Sequence, residues 1–77
     1  MAKVVRVRPS ETIEDAGDRI VVTQNPSGGL FETVRWHGNV IAYDHGRWPL
    51  VHAIELAVQD AKVSAIPTIY VVEGPNG

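Results

Sequence analysis

The chain has 77 residues, a formal net charge of −2 and no cysteine, with a mass of 8.4 kDa. This length predicts one small domain, and a hydrophobic fraction of 44% is enough for a folded core. The lack of cysteine excludes disulfides, thiolate metal sites and cysteine nucleophiles, while the slight acidic excess argues against general binding to phosphate backbones.

The first predicted element is a strand over Lys3–Val7, which is rich in β-branched residues and ends before Pro9. Residues 10–18 contain four acidic side chains in nine positions, a pattern typical of a solvated loop. We expect these two segments to form an N-terminal arm, 1–18. The remainder, 19–77, is predicted to be a β-β-β-α-β unit within the same single domain.

The next three predicted strands cover residues 19–24, 30–37 and 40–44. Gly38-Asn39 separates the last two, and glycine in the first position suits a two-residue type II′ turn. With this turn, residues 36 and 34 lie opposite residues 41 and 43. One face of the hairpin then consists of Trp36, Ile41, Val34 and Tyr43, and we expect this face to pack against a helix.

One helix is predicted over residues 49–62, because Pro49 suits the first helical position and an apolar stripe follows it. The residues of this stripe are Leu50, Ile54, Ala57, Val58 and Ala61. A last strand is predicted over Thr68–Val72. The predicted fold is therefore α+β, with a mostly antiparallel four- or five-stranded sheet and one helix packed on one face.

The other face of the sheet is predicted to stay uncovered and half apolar, provided that the turn at residues 25–29 pairs Thr23 with Phe31. Such a face is typical of a partner surface. We therefore expect a small non-catalytic module that binds a protein partner or a second copy of itself. The predicted contact residues are Val21, Phe31, Thr33, Arg35 and Trp48.

Two alternative functions stay open. The same face could bind single-stranded nucleic acid, with basic side chains contributed by Arg6, Arg8, Arg19 and Arg35. A phage-type inhibitor of a host protein complex is the other alternative, because short acidic chains suit that role.

Patterns for catalysis, metal binding and membrane insertion are weak. Asp44, His45 and His52 have suitable side chains for a metal but lack compact ligand spacing. The serines lack the Gly-x-Ser-x-Gly pattern of a nucleophile elbow. No apolar run approaches the roughly 20 residues of a membrane-spanning helix. We expect no enzyme activity, no metal, no cofactor and a cytoplasmic location.

Several segments from Ile20 to Gly74 resemble a known group. They are Ile-Val-Val-Thr, then Phe-Glu-Thr-Val-Arg-Trp-His-Gly-Asn-Val-Ile-Ala, the helical Ala-Ile-Glu-Leu-Ala, and Ile-Tyr-Val-Val-Glu-Gly. This arrangement resembles the small bacterial β-β-β-α-β domains of unknown function that include YegP-like proteins. The resemblance covers most of the chain and implies the fold alone, because its motifs are turn and core residues. The arm, 1–18, departs from the pattern.

Overall fold

The computed structural model describes residues 2–11, 13, 17–25 and 29–73. Within them a five-stranded sheet carries one helix on one face, so the predicted α+β fold is confirmed. The elements are β1 (Lys3–Val7), β2 (Asp18–Gln24), β3 (Phe31–His37), β4 (Val40–Trp48), α1 (Leu50–Ser64) and β5 (Thr68–Val72).

The strand order in the sheet is β1-β5-β2-β3-β4. The β2–β3 and β3–β4 pairings are antiparallel, whereas β5 lies between β1 and β2 and is parallel to both. More residues pair in the antiparallel ladders, so the mixed sheet is mostly antiparallel, as predicted. The N-terminal strand joins this sheet at one edge, and β4 forms the other edge.

The predicted division into 1–18 and 19–77 stays a prediction. Within the predicted loop of the arm, residues 12 and 14–16 lie outside the described residues, as do residues 26–28 of the predicted turn at 25–29.

The β3–β4 hairpin confirms the predicted turn. His37 pairs with Val40, Trp36 pairs with Ile41, and Gly38 has a φ of +60° as a type II′ turn requires. Beyond these pairs the register shifts twice, because β4 contains one extra residue at Ala42 and a second before Arg47. The prediction that this strand ends at residue 44 was therefore wrong.

The helix covers the face that we expected to be open, which corrects the prediction. Gln24, not Thr23, pairs with Phe31. Because of this one-residue difference, Ile20 and Val22 of β2, rather than Val21 and Thr23, lie on the same face as Phe31 and Thr33 of β3. Beneath α1 the sheet therefore buries Ile20, Val22, Phe31, Thr33, Ile69 and Val71. Trp36 lies on the opposite face.

Small side chains let α1 lie close to the sheet. Ala53, Ala57 and Ala61 recur at every fourth position and are at most 2% exposed. Thr33 Oγ1 donates a 3.0 Å hydrogen bond to Ala53 O, which satisfies a hydroxyl buried in the core. Val58 was predicted to belong to the buried stripe, but it is 43% exposed because the buried stripe follows the three alanines instead.

Among the described residues, no helix is both long and apolar enough to span a membrane. The cytoplasmic location stays a prediction.

Candidate interaction site

The predicted contact residues are divided between the two faces of the sheet. Phe31 and Thr33 belong to the buried core, and Arg35 points toward α1. Val21 lies half-buried on the other face, and Trp48 is exposed at the end of β4. The prediction that Val21, Phe31, Thr33 and Arg35 share one uncovered face was wrong, because Gln24 rather than Thr23 pairs with Phe31. Whether any of them binds a partner stays a prediction.

Arg35 is held on the helix side by an ion pair and a hydrogen bond to side chains of α1. Its Nε lies 3.4 Å from Asp60 Oδ2, and its Nη1 donates to Ser64 Oγ over 3.3 Å. His45 Nε2 donates to the same Asp60 oxygen over 2.8 Å, and Ser64 Oγ donates to Asp60 Oδ1 over 3.0 Å. These four side chains form what we term the Asp60 cluster, which links β3, β4 and α1.

The connectivity of the Asp60 cluster differs from that of a hydrolytic triad. In a triad the imidazole stands between the hydroxyl and the carboxylate, so that it can accept the hydroxyl proton. Here the carboxylate stands at the centre, and Ser64 Oγ donates to Asp60 rather than to His45. This arrangement supports a structural role, in which a carboxylate that is 10% exposed pairs with a partly buried guanidinium.

The candidate metal ligands are directed to different partners. His45 binds Asp60, Asp44 Oδ1 accepts from Gly46 N, and the His52 ring makes a T-shaped contact with the Trp48 ring. The described part of the chain holds no cluster of three or more metal-binding side chains.

The four candidate nucleic-acid-binding arginines do not form one stripe. Arg6 and Arg35 lie on the helix side of the sheet, and Arg6 pairs with Glu73 at 3.2 Å. Arg19 lies on the opposite side, and Arg8 is exposed beyond the end of β1. The expectation that all four share one face was wrong, since neighbouring strands place them on both faces.

The face without the helix, termed the open face, has a continuous apolar band. Strand pairing aligns Val5, Tyr70, Val21 and Val34 across four strands. Further apolar side chains adjoin this band, namely Val7, Val72, Trp36 and Ile41.

Arg19 covers part of Trp36 on this face. Its guanidinium carbon lies 5.7 Å from the centre of the indole ring, within the range of a cation–π contact. Arg19 Nη1 also donates to Gly38 O over 2.9 Å and to Gly17 O over 3.2 Å. The arginine therefore ties the start of β2 to the β3–β4 turn.

Exposed apolar side chains are concentrated on the edge strand β4. Trp48 Nε1 donates to His45 O over 2.8 Å, which fixes the indole at the end of the strand. We use the name β4 surface for four exposed residues of this strand: Val40 (67% exposed), Ile41 (52%), Tyr43 (53%) and Trp48 (40%).

Sequence reasoning missed the second half of β4 because Asp44-His45-Gly46 resembles a loop. Gly46 has a φ of +87°, and its N–H bonds to Asp44 Oδ1 at 2.9 Å, so the three residues form a bulge within the strand. A polar residue followed by an apolar one, Arg47 and then Trp48, was the available signal that the strand continues after the glycine.

A groove of about 600 Å³ lies beside the end of α1. Its lining is mainly small and apolar, with Lys62 as the charged side chain, so it lacks the convergent polar groups of a ligand site.

Comparisons with protein-family models, curated proteins and solved structures found no match. The resemblance to YegP-like domains stays a prediction.

Proposed function

We propose that the protein is a small non-catalytic protein-interaction module that associates with a second copy of itself through the β4 surface. The observation that supports this most directly is the distribution of exposed apolar side chains. Four of the nine large hydrophobic residues exposed in the described part of the chain belong to β4. An exposed apolar edge strand is a template for pairing with another chain.

The two edges of the sheet are not equivalent. β1 has five residues, and Pro9 follows it closely, so it offers a short edge with an abrupt end. β4 has nine residues, of which seven are exposed. The longer edge with larger apolar side chains is the better site for a partner strand.

Two general properties favour a second copy as the partner. A domain of 8.4 kDa buries a modest share of its surface on folding, so pairing would extend its core. A net charge of −2 produces little repulsion between copies. If the protein instead binds nucleic acid or a host complex, it should stay monomeric alone and form a complex only when that partner is added.

Replacement of Tyr43 by lysine tests the proposal. Tyr43 is 53% exposed on the edge strand, so a charge at this position should remain tolerable in the monomer while opposing association. We expect the dimer dissociation constant to rise about tenfold or more in sedimentation velocity over a concentration series.

The matched control is Val63→Lys on the outer side of α1, where the side chain is 87% exposed. It adds the same charge away from β4 and should leave association unchanged. Equal association constants for wild type, Tyr43→Lys and Val63→Lys would contradict the assignment of the β4 surface.

A further inference from the structure

We propose that two copies pair in antiparallel fashion through β4, in the register that places Asp44 of each copy opposite Arg47 of the other. The inference rests on the proposed self-association and adds the register of the contact. Because a twofold axis relates the copies, every contact of this pairing occurs twice.

The hairpin decides which backbone groups of β4 point toward a partner. The residues that flank a two-residue turn, His37 and Val40, form a hydrogen-bonded pair, and such pairs alternate along β3. The β4 residues opposite Trp36, Val34 and Glu32 therefore direct their N–H and C=O groups toward the free edge. These residues are Ile41, Asp44 and Arg47.

Charge distinguishes among the symmetric registers that these three residues allow. Asp44 opposite itself, or Arg47 opposite itself, would place like charges in direct contact. Ile41 opposite Asp44 would set a carboxylate against an apolar side chain, and Ile41 opposite itself would pair only residues 40–42 and leave the longer part of the strand, residues 43–48, unpaired. Asp44 opposite Arg47 is the register that joins unlike charges and pairs the second half of β4.

The same register matches the side chains on the helix side of the strand. Tyr43 and Trp48 pair with Arg35 and Phe31, whose side chains lie on the helix side. With Asp44 opposite Arg47, Tyr43 of one copy lies opposite Trp48 of the other. Cross-strand aromatic pairs stabilise sheets, so an aromatic pair on one side would accompany the ion pair on the other.

The bulge at Gly46 is compatible with this pairing. Bulges often protect an edge strand, because the extra residue interrupts the hydrogen-bond register that a regular partner strand would need. In the proposed dimer the two residues between Asp44 and Arg47 face the same two residues of the second copy. Both strands then carry the same irregularity at the same place, and the ladder resumes on either side.

Charge reversal tests the register. Asp44→Arg would place two arginines opposite each other, and Arg47→Asp would place two aspartates opposite each other, each twice per dimer. We expect each single variant to raise the dimer dissociation constant about tenfold or more. The double variant Asp44→Arg/Arg47→Asp restores unlike pairs, and its constant should return to within about threefold of wild type.

Asp44→Asn is the control for the local fold, because its amide oxygen can still accept from Gly46 N while the charge is removed. Circular dichroism of all variants should match wild type. A monomeric wild type would contradict both the self-association and the register. A wild-type dimer weakened by Tyr43→Lys, yet insensitive to both reversals or not rescued by the double variant, would overturn the register alone.

Discussion

At the scale of single residues, Asp60 receives side chains from two strands and from its own helix. Its carboxylate binds His45 and Ser64, and the Arg35 guanidinium lies within ion-pair distance. These contacts allow a charged strand residue to lie beneath α1, because the partly buried guanidinium retains an anionic partner.

Asp60→Ala is expected to destabilise the protein by about 2 kcal/mol. The substitution removes the hydrogen bonds from His45 and Ser64 and leaves the Arg35 guanidinium without its counter-ion. Because the Arg35 side chain is 32% exposed, water compensates in part, and the loss should fall below the ~3–5 kcal/mol of a fully buried pair. Urea denaturation measures the free energy of unfolding, and Glu55→Ala on the exposed side of α1 is the control. A loss for Asp60→Ala no larger than that for Glu55→Ala would show that the cluster contributes little.

At the scale of elements, the alanine stripe sets the distance between α1 and the sheet. Ala53, Ala57 and Ala61 are all at most 2% exposed, so the sheet contacts the helix at each of these positions. A larger side chain in the stripe would have to displace the helix or adopt a strained rotamer.

Ala57→Leu should therefore lower the free energy of unfolding by about 1–3 kcal/mol despite its greater hydrophobicity. Val63→Leu, at a position that is 87% exposed, should change it by less than about 0.5 kcal/mol. Thermal or urea unfolding compares the two. Equal stability of Ala57→Leu and wild type would indicate a loosely packed contact instead.

Local chemistry was sufficient to predict several elements. The β-branched runs of β1 and β5 and the Gly38-Asn39 turn are signals confined to a few neighbouring residues, and the structure has them at the predicted positions. The covered face could not be predicted in the same way. It depends on the β2–β3 register, and on acceptors of α1 that make burial of Arg35 feasible.

The site was predicted less well than the fold for the same reason. The apolar face of the β3–β4 hairpin predicted Trp36 in the core, whereas the structure places it beside Arg19 on the open face. The extent of β4 also depends on how Gly46 is accommodated in a long strand, which requires the pairing with β3.

At the scale of the whole molecule, the helix covers one face and β4 ends the sheet. The proposed β4 pairing would join two five-stranded sheets into one of ten strands, with both helices on the same side because the twofold axis is perpendicular to the sheet. The contact would be small, which is typical of transient association, and we expect a dissociation constant on the order of micromolar.

Sedimentation equilibrium of the wild-type protein over roughly 1–500 μM tests this account most directly, because the range spans a micromolar dissociation constant. We expect the weight-average mass to rise from 8.4 kDa toward twice that value as the concentration increases. A mass that stays at 8.4 kDa over the whole range would contradict self-association.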